Sequence, residues 1–479
     1  MTLSASLGLR SLQQLRRAWA EVEQGALSRI TGKVRAGLPA DDLHLIRRQI
    51  DECLSEVGGA ASARGRATRL GGVYLDLNTQ GRAHFLQLLA NEYGVDTDAL
   101  RNATRHWLAL TAVDDAEADR KALLAAEEQL RQILKSPRVR LLSQFNDLPE
   151  GIKFLVDMRA ELIEAKGEDI ALQAFDREFR DLLASWFDVG FLELRRITWN
   201  APATLLETLA EHEAVHAIRS WQDIKHRLAA SDRRCYAFIH PQMPNDPLIF
   251  VWVALTAGIA ERINDLLRVD HRELDPAKVD TAVFYSISAT QPGLDGVGFG
   301  SFLIKQVVDR LNRDHKQLKN FTTLSPMPGF RSWVNERLDK SKAGEQEHPR
   351  VTEALQALRE AGALQRMFSD RSWLRDQAAL ARARQPLLIL AAHYLVQEKR
   401  GQGARDQVAN FHLSNGASVD RLNFPGDVAR RGQERAAGLM VNYRYRLKDI
   451  EANHESYHDS GEIAQSRTIS SLLKTRISA

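Results

Sequence analysis

One stretch constrains the fold more than any other: Phe284 to Phe330, FYSISATQPGLDGVGFGSFLIKQVVDRLNRDHKQLKNFTTLSPMPGF. It reads as strand, glycine loop, helix, strand. Val283, Phe284 and Ile287, with Ser and Thr neighbours, suit a strand, and Gly293, Gly296, Gly298 and Gly300 then interrupt regular structure. Phe302, Leu303, Ile304, Val307, Val308 and Leu311 recur at helical spacing. Phe321–Leu324 reads as a second strand, stopped by Ser325-Pro326. Two strands joined through a helix are expected to be parallel neighbours with a right-handed crossover. Their C-terminal ends then share one edge of a sheet, which brings the glycine loop and Ser325 together in this expectation. A helix N-terminus stripped of side chains is an anion site. A hydroxyl beside it is a candidate catalytic group.

Charge is nearly balanced, with 65 Lys and Arg against 62 Asp and Glu, so nothing draws the whole chain toward nucleic acid or a membrane surface. No apolar run is long enough to span a bilayer. At 479 residues the chain is long enough for two or more domains. Cys53 and Cys235 are the two cysteines, which excludes a disulfide scaffold and a cysteine metal site and suits a reducing compartment. The first twenty residues hold Arg10, Arg16 and Arg17 without an acid, but Glu21 and Glu23 follow directly, so a first amphipathic helix is expected rather than a presequence.

The chain divides in two. Residues 1–190 are expected to form an all-α bundle: Leu43–Val57, Ala83–Tyr93, Ala116–Leu134 and Ile170–Phe187 space apolar residues by three and four. Gly58-Gly59 and Gly71-Gly72 read as breaks, and Ser136-Pro137 and Leu148-Pro149 as turns. Residues 191–479 read as a mixed domain, giving an α+β chain overall. Here Leu194–Trp199, Cys235–Ile239 and Leu248–Leu255 are expected strands, and Pro202–Ile218 an expected helix. A helical section follows from Trp333 to Gln397, with an insert at Lys340–Arg350. Val408–Leu413, the Asn415-Gly416 turn and Val419–Phe424 read as a last extended region, and Leu439–Arg446 as buried and aromatic.

Three constellations carry chemistry. His212-Glu213-Ala214-Val215-His216 fits H-E-x-x-H, which on a helix presents two imidazoles to zinc and a carboxylate to its water. Gln222 stands where a third histidine belongs, so a packing pair is preferred and no metal site is assigned. The loop Asp295, Gly296, Val297, Gly298, Phe299, Gly300, Ser301 lacks the Lys of a P-loop and the distal acid of a dinucleotide fingerprint. Between strand and helix it still suits a phosphate or pyrophosphate. Finally, His412 precedes the Asn415-Gly416 turn. In an extended segment His412 and Asn410 alternate onto one side, while Phe411 and Leu413 take the other. No G-x-S-x-G elbow is present, so Ser325 does not read as a hydrolase nucleophile.

Taken together, HPQMPNDPLIFVWVALT, FYSISATQPGLDGVGFGSFLIKQVV, FTTLSPMPGF, VANFHLSNGA and GLMVNYRY resemble the malonyl-CoA decarboxylase family. The likeness is dense from about Phe191 onward. It implies a helical N-terminal domain that assembles a homo-oligomer, dimer or tetramer, and a catalytic domain of the acetyltransferase-like (GNAT) fold. It implies that Asp295–Ser301 holds coenzyme A, that Ser325 and His412 are catalytic, and that Asn410 and Asn415 support the histidine. The acetyltransferase pattern prefers Gln or Arg where this chain has Asp295, and animal members carry an acid where it has Gly298. The expected reaction is conversion of malonyl-CoA to acetyl-CoA and CO2, with the thioester itself taking the electrons and no cofactor required. A cytoplasmic location and no nucleic-acid or membrane partner complete the expectation. Rival readings are an acyl-CoA-dependent N-acyltransferase, a zinc hydrolase at His212 and His216, and a non-catalytic CoA-sensing scaffold.

Overall fold

The computed structural model describes residues 15, 19, 34–55, 59–111, 118–270, 274–298, 303–342, 347–363, 373 and 376–474. The chain forms two compact units. One comprises Met1–Leu192, His240–Pro247 and Gln291–Gly298; the other Glu193–Ile239, Leu248–Thr290 and Phe299–Ala479.

The first unit is helical. Its elements include Leu43–Leu54, Gly59–Asp76, Thr79–Glu92, Thr97–Thr111, Ala118–Leu134, Pro137–Asn146, Gly151–Ala165 and Ile170–Trp186. Ser136 and Asp169 cap two of these helices by accepting N–H groups of the first turn. The core centres on Phe154, whose ring meets Trp19, Phe145 and Tyr74 edge-on at 4.8, 5.2 and 5.6 Å between centroids. Gly71-Gly72 does not break a helix. Both residues lie inside Gly59–Asp76, and the reason is packing: a Cβ on Gly71 would stand 2.3 Å from the Trp19 ring. The glycine is there to admit the indole. The expected first helix near Arg10–Arg17 and the Gly58 break lie outside the described residues.

The second unit is built on an eight-stranded mixed sheet: β1 (Glu193–Ile197), β2 (Arg233–Ile239), β3 (Pro247–Thr256), β4 (Thr281–Ala289), β5 (Asn320–Thr323), β6 (Ser325–Pro326), β9 (Ser418–Asn423) and β10 (Met440–Arg444). A separate pair, β7 (Lys399–Arg400) and β8 (Gly403–Ala404), forms a small hairpin. Neighbours run β1-β2-β3-β4-β5-β10-β6, with β9 also on β10. β3 and β4 pair antiparallel, and β3 is buried along nearly its whole length, as its Leu, Ile, Phe, Val and Trp residues dictate.

β4 and β5 are parallel, as expected of two strands joined through the helix Leu303–Asp314. Their register is short. Thr281–Phe284 faces Asn320–Thr323, and then the Leu324 N–H donates to the Phe284 carbonyl at 3.0 Å and the chain turns away. Ser325 and Pro326 pair instead with Val441 and Met440 of β10. The C-terminal half of β4, Tyr285–Ala289, therefore continues without its parallel neighbour. Ser325 thus sits just past the point where β5 parts from β4.

Two expected elements differ. The helix expected over Pro202–Ile218 stops at Glu211. Beyond it the Glu213 carboxylate accepts the N–H groups of Val215 and His216 at 2.9 and 2.7 Å and the Ser286 hydroxyl at 2.7 Å, and this pulls the chain out of the helical path. Val408–Leu413 is not extended but part of a helix, Gln407–Ser414. Asp406 caps it, accepting from the N–H groups of Val408 and Ala409, both at 3.0 Å.

Candidate active site

Ser325 and His412 reach each other from these two elements. Ser325 sits on β6, held by its pairing with Val441 of β10. His412 sits in the last turn of the Gln407–Ser414 helix. The Ser325 Oγ lies 3.1 Å from His412 Nε2, and both side chains are buried. On its other side Ser325 Oγ bonds the Thr323 hydroxyl at 2.9 Å, and Thr323 Oγ1 accepts the Tyr443 N–H at 3.1 Å. The imidazole is fixed at its remaining nitrogen: Nδ1 lies 2.8 Å from the Tyr445 hydroxyl. Its face stacks on Tyr443, 4.6 Å between centroids. A continuous line of hydrogen bonds thus runs Tyr445, His412, Ser325, Thr323, Tyr443 N–H.

Burial governs the electrostatics. Removal from water pushes the His412 imidazole down to about 3, so it is neutral in the unliganded protein. An imidazole in water titrates near neutrality, and burial takes His412 out of that range. Burial likewise raises the Tyr445 hydroxyl far above the usual phenol range. Each group is therefore uncharged, and each is able to donate or accept along the line.

One carboxylate ties the two arms together. Asp406 Oδ1 caps the His412 helix, while Oδ2 accepts the Tyr394 hydroxyl at 3.0 Å. The turn that follows Ser325 and Pro326 packs against this pair at Gly329, where a Cβ would stand 3.9 Å from Asp406 Oδ2. Gly329 has no room for a side chain, since a Cβ would stand 2.4 Å from the Tyr394 hydroxyl oxygen. The helix leaves the site at Gly416, whose φ of +79° suits glycine and whose Cβ would meet the Ile450 carbonyl at 2.2 Å.

The expected supporting residues stand elsewhere. Asn410 accepts the Tyr457 hydroxyl at 2.7 Å, and Asn415 donates its side-chain amide to the Phe411 carbonyl at 2.8 Å. Neither bonds the imidazole. The shared side inferred for Asn410 and His412 required an extended chain, and on a helix residues two apart point in different directions. The residues that do orient His412 are Tyr443 and Tyr445, alternate residues of one strand segment. Their i, i+2 spacing in an aromatic run was the signal for them.

The H-E-x-x-H residues are not on one helical face, because His212 is already the C-cap of its helix. Glu213 is spent on Ser286 and on two backbone N–H groups. Of the glycine loop, Asp295–Gly298 are described, and Phe299, Gly300 and Ser301 lie outside the described residues. The preceding turn, Pro292–Leu294, packs on the helix Gly151–Ala165. Arg159 donates to the Gly293 carbonyl at 2.8 Å, and a Cβ on Gly293 would collide with the Val156 carbonyl at 1.8 Å.

Residues 190–479 match the family described as malonyl-CoA decarboxylase C-terminal domain, and residues 93–187 match the corresponding N-terminal domain. The chain is 36% identical over 412 residues to a mitochondrial malonyl-CoA decarboxylase of Anser anser anser, covering 82% of this chain and 80% of that one. It is 37% identical over 410 residues to the Rattus norvegicus protein of the same name, covering 82% of each. The crystal structure of malonyl-CoA decarboxylase from Agrobacterium vitis superposes with a TM-score of 0.79 at 38% identity, covering 89% of this chain and 99% of that one. That from Rhodopseudomonas palustris gives 0.78 at 37%, covering 89% and 98%. The chain belongs to the malonyl-CoA decarboxylase family.

Proposed function

We propose that the protein converts malonyl-CoA to acetyl-CoA and CO2, with Ser325 and His412 handling the proton. The observation that carries this reading is the buried contact of Ser325 Oγ with His412 Nε2 at 3.1 Å in a chain of this family. Decarboxylation of a malonyl thioester breaks one C–C bond. The electron pair passes into the thioester as an enolate, so no cofactor electron sink is required. What the protein must add is a bound, oriented thioester and a proton for the new methyl carbon.

The proton follows from burial. A neutral imidazole in a dry site has little tendency to protonate, but a substrate carboxylate beside it favours the charged form. Binding of malonyl-CoA then draws one proton onto His412. When CO2 leaves, the Ser325 hydroxyl gives its proton to the carbanionic carbon and the imidazolium Nε2–H replaces it on Oγ. The imidazole returns to neutrality and Tyr445 holds its ring in place throughout.

The thioester's extended pantetheine arm suits the gap beside the unpaired half of β4, where backbone groups of Tyr285–Ala289 are free of β5. That divergence also supports the acetyltransferase-like reading of the sheet. We assign the CoA phosphates to Asp295–Ser301. Exposed Leu108, Leu124 and Leu134 on the helices Thr97–Thr111 and Ala118–Leu134 support assembly through the helical unit, with dimer or tetramer to be read by light scattering. No helix among the described residues is long and apolar enough to cross a membrane. A cytoplasmic location belongs to the same reading, supported by two free buried cysteines, and cell fractionation tests it. Incubation of the purified protein with malonyl-CoA tests the reaction itself: acetyl-CoA and CO2 should appear in equal amounts. Bound but intact malonyl-CoA contradicts it.

A further inference from the structure

A polar cavity lies within the sheet unit, about 250 Å³ in volume, and its walls include Arg262, Arg384, Arg421 and Glu261. Three guanidinium groups and one carboxylate line it. Glu261 is committed to Arg421 at 3.1 Å, and Arg384 donates to the Phe424 carbonyl. Arg262, exposed at the rim, adds a further positive charge. Arginine's planar fork binds carboxylates and phosphates two bonds at a time. The volume is below the roughly 300–1,000 Å³ of pockets for drug-sized ligands, so a CoA thioester does not fit. A small oxyanion does.

The cavity wall is also wired to the candidate catalytic serine. Arg421 Nε donates to the side-chain oxygen of Asn442 at 3.2 Å. Asn442 is fully buried, and its amide donates to the Thr323 carbonyl at 2.6 Å and to the Ala260 carbonyl at 3.1 Å. Thr323 in turn bonds Ser325. Asn442 reaches toward Arg421 while Tyr443, its neighbour on β10, stacks on His412. The cavity therefore meets the strand next to the proton relay through a route of its own.

We infer that this cavity is a regulatory oxyanion site, taking inorganic phosphate or a short dicarboxylate between Arg262, Arg384 and Arg421, and that its occupancy is read at Ser325 through Asn442 and Thr323. An anion seated there competes with Glu261 for Arg421. Loss of that ion pair shifts the guanidinium that holds Asn442, and with it the Thr323 backbone. The inference goes beyond the proposed reaction, and binding is measured without turnover.

Calorimetric titration of the full chain with sodium phosphate and with sodium succinate, at ionic strength fixed by sodium chloride, tests the site. Saturable binding of at least one ion is expected, weakened tenfold or more in Arg262→Ala and in Arg384→Gln. The first of these variants removes an exposed side chain, so it remains informative if Arg384→Gln misfolds. Saturation by the ion that binds is expected to change malonyl-CoA turnover at least twofold in the wild type and not in Arg262→Ala. Absence of saturable heat with both ions, or equal affinity in wild type and Arg262→Ala, overturns the site. Binding that leaves turnover unchanged overturns its regulatory role.

Discussion

Ser325 Oγ and His412 Nε2 lie 3.1 Å apart although 87 positions separate them in the chain. One residue comes from a strand that has left its parallel partner, the other from the last turn of a short helix. Asp406 caps the helix and accepts the Tyr394 hydroxyl, and the turn after Ser325 packs on that hydroxyl at Gly329.

Tyr445 fixes the far nitrogen of the imidazole at 2.8 Å. Tyr445→Phe removes that bond and leaves the ring packed. Turnover is expected to fall about tenfold with KM nearly unchanged, since a single neutral hydrogen bond contributes roughly 0.5–1.5 kcal/mol. The acid limb of the kcat–pH profile should also move, which loss of packing alone does not produce. Steady-state kinetics between pH 5.5 and pH 8.5 on this variant, about the range in which histidine titrates, makes the check.

Malonyl-CoA binding should carry a proton with it. The free imidazole is held down to about 3, so near pH 7.5 it arrives neutral, and the substrate carboxylate must bring its proton from solvent. Calorimetry with a non-decarboxylating malonyl-CoA analogue, in buffers of different ionisation enthalpy, should show uptake of about one proton. In His412→Gln the uptake should vanish while binding persists.

Asp406→Ala is expected to cost about 2 kcal/mol or more of stability, because it removes a helix cap and strands the buried Tyr394 hydroxyl. It should also lower turnover at least tenfold in the protein that remains folded, since the tie between the two arms is gone. Urea denaturation and kinetics on the same preparation separate the two effects. Gly329→Ala should behave similarly, its new methyl group meeting the Tyr394 hydroxyl at 2.4 Å.

Stability should decline on mild acidification. Burial lowers His412 to about 3, and burial with the positive charges of Arg227 and Arg431 lowers His216 to about 3, against an ordinary value of 6.5. Both imidazoles take up protons on unfolding between these limits. Their contribution is fully present above about pH 6.5 and is lost as pH falls toward 3. Urea midpoints at pH 7 and pH 5.5 should differ, and less so in His412→Gln, pH 5.5 lying about one unit below the ordinary histidine value.

Much of this was legible in the sequence, for identifiable reasons. β2, β3, β4 and β10 announce themselves as dense apolar and aromatic runs, and the strand–loop–helix–strand passage required parallel neighbours. Pairing Ser325 with His412 was not legible from pattern alone: the family resemblance singled out both residues, and only the fold shows them in contact. The His412 helix was misread because an eight-residue helix is too short for its period to show, and V-A-N-F-H-L mimics alternation. Its signal was Asp406, a capping residue directly ahead of the helix. Gly71-Gly72 was misread because its cause is the distant Trp19 ring, which no local window contains. Tyr445 was passed over since an aromatic in a buried strand is most often core, and its hydroxyl partner comes from another element.

Turnover of carboxyl-labelled malonyl-CoA by Ser325→Ala and His412→Ala, each with wild-type circular dichroism and melting behaviour, is the most direct test of the dyad. Release of labelled CO2 is expected to fall on the order of a hundredfold or more in each variant, with the double variant little worse than either, as befits two residues acting as one unit. Turnover in both single variants close to that of the wild type would contradict the assignment of the proton relay to this pair.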